Sequence, residues 1–258
     1  MTKLVRAFRN AHHAVCTLDL PEKRNPISKA MRQALIETLE SLRADPSVRS
    51  VIITGEGSAF CSGLDLDEFA ALQSLSAEQH RADSQSICDF LCYLAAYPKP
   101  TIAALNGPAI AGGCAVALLC DFALAVPSAY LCFSEVKIGF VPAIAGVFLQ
   151  QMLGPKRTRD LLLTGRKVMA DEAKEFGLLN SVVESAQLLP KSQELAEQLA
   201  LNSPQALEST KALLSAVTGS LSSALALAVD VNASARTSSD CVEGVKAFLE
   251  KRAPDWRT

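Results

Sequence analysis

Two kinds of apolar spacing alternate along the chain as far as Gln187. Runs that are apolar at nearly every position occupy residues 14–20, 51–54, Thr101–Leu105, 122–126 and 131–133, with a shorter one at 181–183. Such runs suit strands buried on both faces, as in a parallel sheet. Between them the spacing turns helical. Ser28 stands where a cap belongs, Met31, Leu35, Leu39 and Leu42 follow on one face, and Asp45-Pro46 ends the pattern. Helices are also predicted over 72–97, 113–120, 147–153 and 156–164. Strands alternating with helices predict an α/β architecture with crossover connections.

Beyond Gln187 the strand pattern stops. Residues 188–201, 204–217, 221–235 and 240–251 read as helices rich in Leu, Ala and Val, with Pro204 at a first helical position behind Ser203. The division is therefore an α/β core over 1–200 and a helical region over 201–258. Apolar faces on a short helical tail are expected to pack on another subunit or on the core itself.

Composition narrows the class. The chain has 258 residues, is 49% hydrophobic and 20% charged, and carries a formal net charge of -2. That length and apolar content sustain a full core and exclude a disordered chain. A slight negative charge argues against a nucleic-acid face, where Lys and Arg would be in excess. The longest apolar-rich run, 102–126, is broken by Asn106, Gly107, Pro108, Gly112, Gly113 and Asp121, so no membrane span is expected. Lys3, Arg6 and Arg9 precede any acid but run straight into a strand-like stretch, and are read as part of the domain rather than a presequence. Eight cysteines sit mostly within apolar runs; Cys88 and Cys92 are one helical turn apart, yet no CxxC occurs. Reduced thiols in a cytoplasmic setting are expected.

Chemistry concentrates in two glycine-bearing loops. One, over 55–66, follows the 51–54 strand and contains Gly55, Gly57 and Gly63; the other, over 106–114, places Gly112-Gly113 where a helix begins. Glycine allows close backbone approach, and the free amides at a helix start attract negative charge. Together two such loops can offer two amides to one oxyanion; singly, each is also an ordinary strand-to-helix turn. The dinucleotide fingerprint GxGxxG, the phosphate loop GxxxxGK[ST], the HExxH metal motif and the hydrolase GxSxG are all absent. His12 and His13 are adjacent, as if facing opposite sides of a strand. No metal site is expected.

The order and text of these loops resemble the crotonase family, the enoyl-CoA hydratase/isomerase superfamily. The likeness runs from Leu18-Asp19-Leu20-Pro21 and Asn25 through Ile52-Ile53-Thr54-Gly55 to Leu66. It continues through Lys99-Pro100-Thr101 to Asn106-Gly107, Gly112-Gly113-Cys114, Cys120-Asp121 and Phe133-Ser134-Glu135-Val136-Lys137-Ile138-Gly139. It ends with Glu243-Gly244 and Phe248-Leu249-Glu250-Lys251-Arg252. The resemblance implies a spiral of ββα units, a C-terminal trimerisation region, trimers that pair into hexamers, and an acyl-CoA thioester substrate whose enolate is stabilised on the thioester oxygen. It implies no cofactor beyond the CoA that the substrate carries. By position, Leu64 and Gly112 supply the two oxyanion amides. Lys23, Arg24, Ser62, Asp65 and Leu66 fall in CoA-binding stretches, and Phe248 and Lys251 match tail positions that reach a neighbouring subunit's CoA.

The acid–base positions depart from the two-glutamate pattern of family hydratases. Glu135 matches one glutamate, while the other falls on Ala115, and Pro142-Ala143 replaces a Pro-Gly. One carboxylate beside an oxyanion hole suffices to move a double bond, and also to relay a proton from water to the α-carbon. The Ser134-to-Ala143 text is similar to methylglutaconyl-CoA hydratase-like members. Hydration of a 2-enoyl-CoA is the first expectation and Δ3,Δ2-enoyl-CoA isomerisation the second. An acyl-CoA-binding protein without catalysis is the alternative of another class, which a retained Glu135 disfavours.

Overall fold

The computed structural model describes residues 3–65, 68, 76–216, 239, 243, 247, 250–252 and 255. The main sheet runs in the order β1 (Val5–Asn10), β2 (His13–Leu18), β3 (Ser50–Gly55), β4 (Thr101–Leu105), β6 (Phe122–Ala125) and β9 (Ser181–Val182). From β2 to β9 every neighbour is parallel. Every residue of β3 and β4 is buried, which explains their unbroken apolar text. The exception is β1, an antiparallel edge strand hairpinned to β2. Only Val5 of β1 is buried, so its residues carry no apolar pattern and the sequence reading missed it. His12 falls in the turn and His13 opens β2, so the pair does not straddle a strand as expected.

A smaller sheet joins β5 (Ala109–Ile110), β7 (Tyr130–Cys132) and β8 (Lys167–Met169). β5 pairs in parallel with β7, and β7 antiparallel with β8. β8 buries only Val168 and β5 is two residues within the second glycine loop, so the sequence marks neither as a strand.

Helix α1 (Lys29–Ala44) begins as the sequence requires, with the Ser28 hydroxyl accepting from the Met31 amide at 3.1 Å. Its Met31, Leu35, Leu39 and Leu42 are all buried, and the helix packs on β1 and β2. Helix α2 (Ala77–Ala95) opens with a reciprocal capping box between Ser76 and Gln79. The remaining helices are α3 (Gly112–Leu119), α4 (Ala143–Thr164), α5 (Ala170–Glu175), α6 (Leu188–Ala200) and α7 (Pro204–Ala216). The two helices expected over 147–153 and 156–164 are one element kinked at Gly154, which takes φ 69° before Pro155. α5 was not foreseen. Helix α6 lies against β2, β3 and β4. α7 is tied to the sheet by Lys211, which pairs with Asp121 and donates to the Lys99 carbonyl at 3.0 Å. The helices expected over 221–235 and 240–251 lie outside the described residues, apart from scattered positions of the second. No helix among the described residues is long and apolar enough to cross a membrane.

Candidate active site

The two glycine loops meet. Cys61 forms a parallel bridge with Ala109, and the Ile110 amide donates to the Cys61 carbonyl at 2.9 Å. The first loop is folded around two carboxamides. Asn25, fully buried, accepts from the Leu20 amide and donates to the carbonyls of Glu56 and Ala59, all at 2.9 Å. Asn106 accepts from the Gly55 amide at 3.1 Å and donates to the Gly57 carbonyl at 3.0 Å. Neither task is legible in the sequence. Gly63 takes φ +87°, and a Cβ there would stand 2.7 Å from the Ile110 carbonyl oxygen. Glycine is required on both counts. Its carbonyl accepts from Ile27 at 2.7 Å, which fixes the peptide that carries the Leu64 amide.

Gly112 is the first residue of α3, so its amide has no acceptor within the helix. Among the described residues, neither the Leu64 nor the Gly112 amide donates to another group. A Cβ on Gly112 would lie only 3.9 Å from the Gly63 Cα, which puts the two amide-bearing segments side by side. Cys114 sits behind them: its sulfur donates to the Ala109 carbonyl at 3.0 Å and accepts from the Cys132 amide at 3.3 Å. Burial pushes the Cys61 thiol up to about 12 and the Cys114 thiol well above its ordinary value. Both stay protonated, as structural hydrogen-bonding groups rather than nucleophiles.

Glu135 reaches the same place from β7. The Ala111 amide donates to the Cys132 carbonyl at 2.8 Å, and three residues later Glu135 opens a short 3-10 turn that ends at Gly139 in the left-handed region. Glu135 is buried, and among the described residues its Oε2 has no hydrogen-bond partner. Desolvation raises its carboxyl above the ordinary value, with its own backbone amide offsetting part of the effect. Its charge also raises the Cys114 and Cys132 thiols, and its segment is tied to the turn before α3 through the Ala111–Cys132 hydrogen bond. Lys137, two residues on, is exposed and does not pair with it. Ala115 is buried in α3 and brings no polar group. An ionisable group with an unpartnered oxygen, buried beside two free amides, can abstract a proton where negative charge is stabilised.

The residues matched to CoA-binding stretches are gathered at the first loop's mouth. The Ser62 amide donates to the Arg24 carbonyl at 2.9 Å and its hydroxyl to the Lys23 carbonyl at 3.2 Å, while the Lys23 ammonium meets Asp65 at 3.2 Å. Leu66 and Phe248 lie outside the described residues. Lys251 is exposed, and no contact among the described residues joins it to this group. Glu68 accepts from the Lys29 amide at the start of α1, at 3.0 Å. A cavity of about 320 Å³ adjoins Leu64, lined by Lys29, Arg32, Asp65 and residues of α2 including Ser86 and Ile87.

The family model described as enoyl-CoA hydratase/isomerase matches residues 9–258. A Thermus thermophilus relative, whose name carries enoyl-CoA hydratase as a provisional assignment, is 45% identical over 244 residues, 94% of this chain and 96% of its own. The Escherichia coli 2,3-dehydroadipyl-CoA hydratase is 33% identical over 259 residues, covering 100% of this chain and 99% of its own. The crystal structure of a Mycobacterium smegmatis enoyl-CoA hydratase superposes with a TM-score of 0.92 at 33% identity, over 99% of each chain. The chain belongs to the enoyl-CoA hydratase/isomerase family and has its α/β crotonase fold.

Proposed function

We propose that the protein is an enoyl-CoA hydratase that works with a single glutamate. The observation that carries this reading is the buried Glu135 Oε2, without a partner among the described residues, on the segment that hydrogen-bonds to the turn bearing the free Gly112 amide, next to the loop of Leu64. Glu135 takes a proton from water as the water oxygen bonds the β-carbon of a 2-enoyl-CoA. The electron pair of the double bond moves onto the thioester oxygen, where the two amides hold it. The enolate then collapses and the α-carbon takes the proton from the Glu135 carboxylic acid. Each such amide is worth roughly 3–4 kcal/mol in comparable sites. Proton transfer and charge stabilisation are thus both supplied, and the only coenzyme in the reaction is the CoA of the substrate. Lys23, Arg24, Ser62, Asp65 and Leu66 bind that CoA, with Phe248 and Lys251 reaching it from a neighbouring subunit.

A second reading is favoured by Ala115, which leaves one carboxylate where two-glutamate hydration would use a pair. A Δ3,Δ2-isomerase needs only that carboxylate, which removes an α-proton from a 3-enoyl-CoA and returns it at the γ-carbon. Assembly as a trimer or a pair of trimers is supported by large apolar side chains exposed in the stretch that follows Glu135, Ile138 at 60%, Val141 at 64% and Val147 at 62%, which need cover. Light scattering that finds only a monomer at micromolar concentration would sink the trimer. A reducing, cytoplasmic location is supported by the free thiols of the described cysteines.

The test is a pair of assays on the purified protein: loss of the conjugated absorbance of crotonyl-CoA and its gain from a 3-enoyl-CoA. Glu135→Gln is expected to lower kcat by roughly 10²–10⁴-fold with CoA affinity little changed. Undiminished turnover by that variant on both substrates would remove Glu135 from the chemistry. Faster conversion of the 3-enoyl substrate would make isomerisation the primary reaction.

A further inference from the structure

Ala111 holds a conformation that alanine avoids. Its φ of 48° and ψ of -119° belong to the region that glycine occupies in a tight turn. Three hydrogen bonds enforce it. The preceding amide, Ile110, is bound to the Cys61 carbonyl at 2.9 Å, the Ala111 amide to the Cys132 carbonyl at 2.8 Å, and the Ala111 carbonyl to the Cys114 amide at 2.9 Å. A strained residue persists where its surroundings over-determine it, and such strain clusters at functional sites.

The consequence concerns the next peptide. The Ala111 carbonyl points into the first turn of α3 to meet Cys114. In a trans peptide the following N–H points the opposite way, so the Gly112 amide is turned out of the helix. The Ala111 methyl also faces the other loop: a Cβ on Gly63 would come within 2.9 Å of it and within 3.3 Å of the Gly112 nitrogen. One methyl group therefore abuts Gly63, the residue before the Leu64 amide, while its own backbone aims the Gly112 amide.

We propose that Ala111 is a positioning residue for the oxyanion site: its methyl is a brace that sets the spacing of the Leu64 and Gly112 amides, and its strain is the conformational cost of doing so. The inference rests on the reading of those amides as oxyanion donors. Glycine at 111 would fit the dihedral angles better and would leave the loops free to drift together.

Ala111→Gly is therefore expected to keep or raise the melting temperature while lowering kcat about tenfold, with KM little changed, because the lost interaction acts in the transition state. Ala111→Ser keeps a Cβ and should recover most of the rate. The direct readout is the infrared stretch of the thioester carbonyl in a bound, unreactive acyl-CoA labelled with ¹³C at that carbon. The wild-type protein should shift it to lower frequency than in water, Ala111→Ser nearly as far, and Ala111→Gly distinctly less. Equal shifts and rates in wild type and Ala111→Gly would overturn the brace while leaving the oxyanion reading intact. Loss of rate and shift in Ala111→Ser as large as in Ala111→Gly would also overturn it. No shift in the wild-type protein would overturn the oxyanion reading, and the brace with it.

Discussion

The two glycine loops converge on one point and are built by opposite means. The first spans residues 55–65 with little regular structure and borrows its order from side chains: Asn25 and Asn106 bind its backbone groups from outside. The second is short, leads straight into α3, and is held by main-chain hydrogen bonds and the Cys114 sulfur. A long irregular loop has many unpaired backbone groups to satisfy, and carboxamides that donate and accept at once do this economically. A helix start has fewer, and leaves its first amides free. The contrast teaches that a single site can place one amide by side-chain clamping and the other by helix geometry.

The glycines sharpen this contrast most. A Cβ on Gly113 would collide with the Cys61 carbonyl oxygen and its sulfur, whereas one on Gly112 would meet nothing closer than 3.9 Å. Gly113→Ala must push the two loops apart, because the obstacle is backbone. It should cost about 3 kcal/mol of stability and most of the activity. Gly112→Ala, by contrast, should hold or gain about 0.5 kcal/mol, since alanine is the better helix former. Urea unfolding of the two variants checks the pair; equal losses would mean that the loops are not in the contact described.

The clamps come next. Asn25 is fully buried, so Asn25→Ala strands the Leu20 amide and the Glu56 carbonyl, leaves Ala59 only its longer bond from Asn106, and should cost about 2 kcal/mol. Asn106 is partly exposed, and water can replace some of its bonds, so Asn106→Ala should cost about 1 kcal/mol. A reversed order of melting temperatures would break the argument that burial ranks them.

The same contrast explains what the sequence made legible. β3 and β4 announced themselves because each of their residues is buried, and α1 because its cap and its apolar face agree. The second loop was legible as a helix start with paired glycines, and Glu135 through the resemblance. The clamps were not, since a buried asparagine and a loop asparagine look alike until the carbonyls they bind are in place. The strain at Ala111 left no trace either, because nothing about an alanine between Ile110 and Gly112 marks a positive φ. β1, β5 and β8 stayed hidden for a simpler reason: β1 and β8 each bury a single residue, and β5 is two residues inside the second glycine loop.

Glu135 lies where the two loops meet, and its ionisation reports how dry that place is. Burial raises its carboxyl above the ordinary value of about 4.3. Two effects of opposite sense follow. As a base it must be ionised, so the acid limb of the rate profile should lie above that of an exposed glutamate. Stability runs the other way: the native state holds the proton more tightly than the unfolded chain. That contribution is full below the unfolded value and is lost as pH rises through the raised native one. Glu135→Gln has no such loss, so its stability relative to wild type should grow as pH rises from the ordinary carboxylate value through the raised native one. Parallel melting curves across that range would mean that the site is wetter than its geometry implies.

The smallest effect is expected one helical turn after Ala111. Ala115 is buried at 4% exposure, on the helix whose first residue carries a free amide, yet it presents only a methyl group. Serine there adds one hydroxyl, which can bond back to the Ala111 carbonyl four residues earlier, as serines inside helices do. Ala115→Ser should therefore cost about 0.5 kcal/mol and keep kcat within about threefold of wild type. The reason is chemical: if Glu135 carries each proton alone, position 115 has no transfer to perform, and a weakly acidic hydroxyl neither helps nor competes. A fall of about a hundredfold would put residue 115 against the reacting atoms. The second loop would then be more than a carrier of one amide, and the two loops would differ in chemistry as well as in construction.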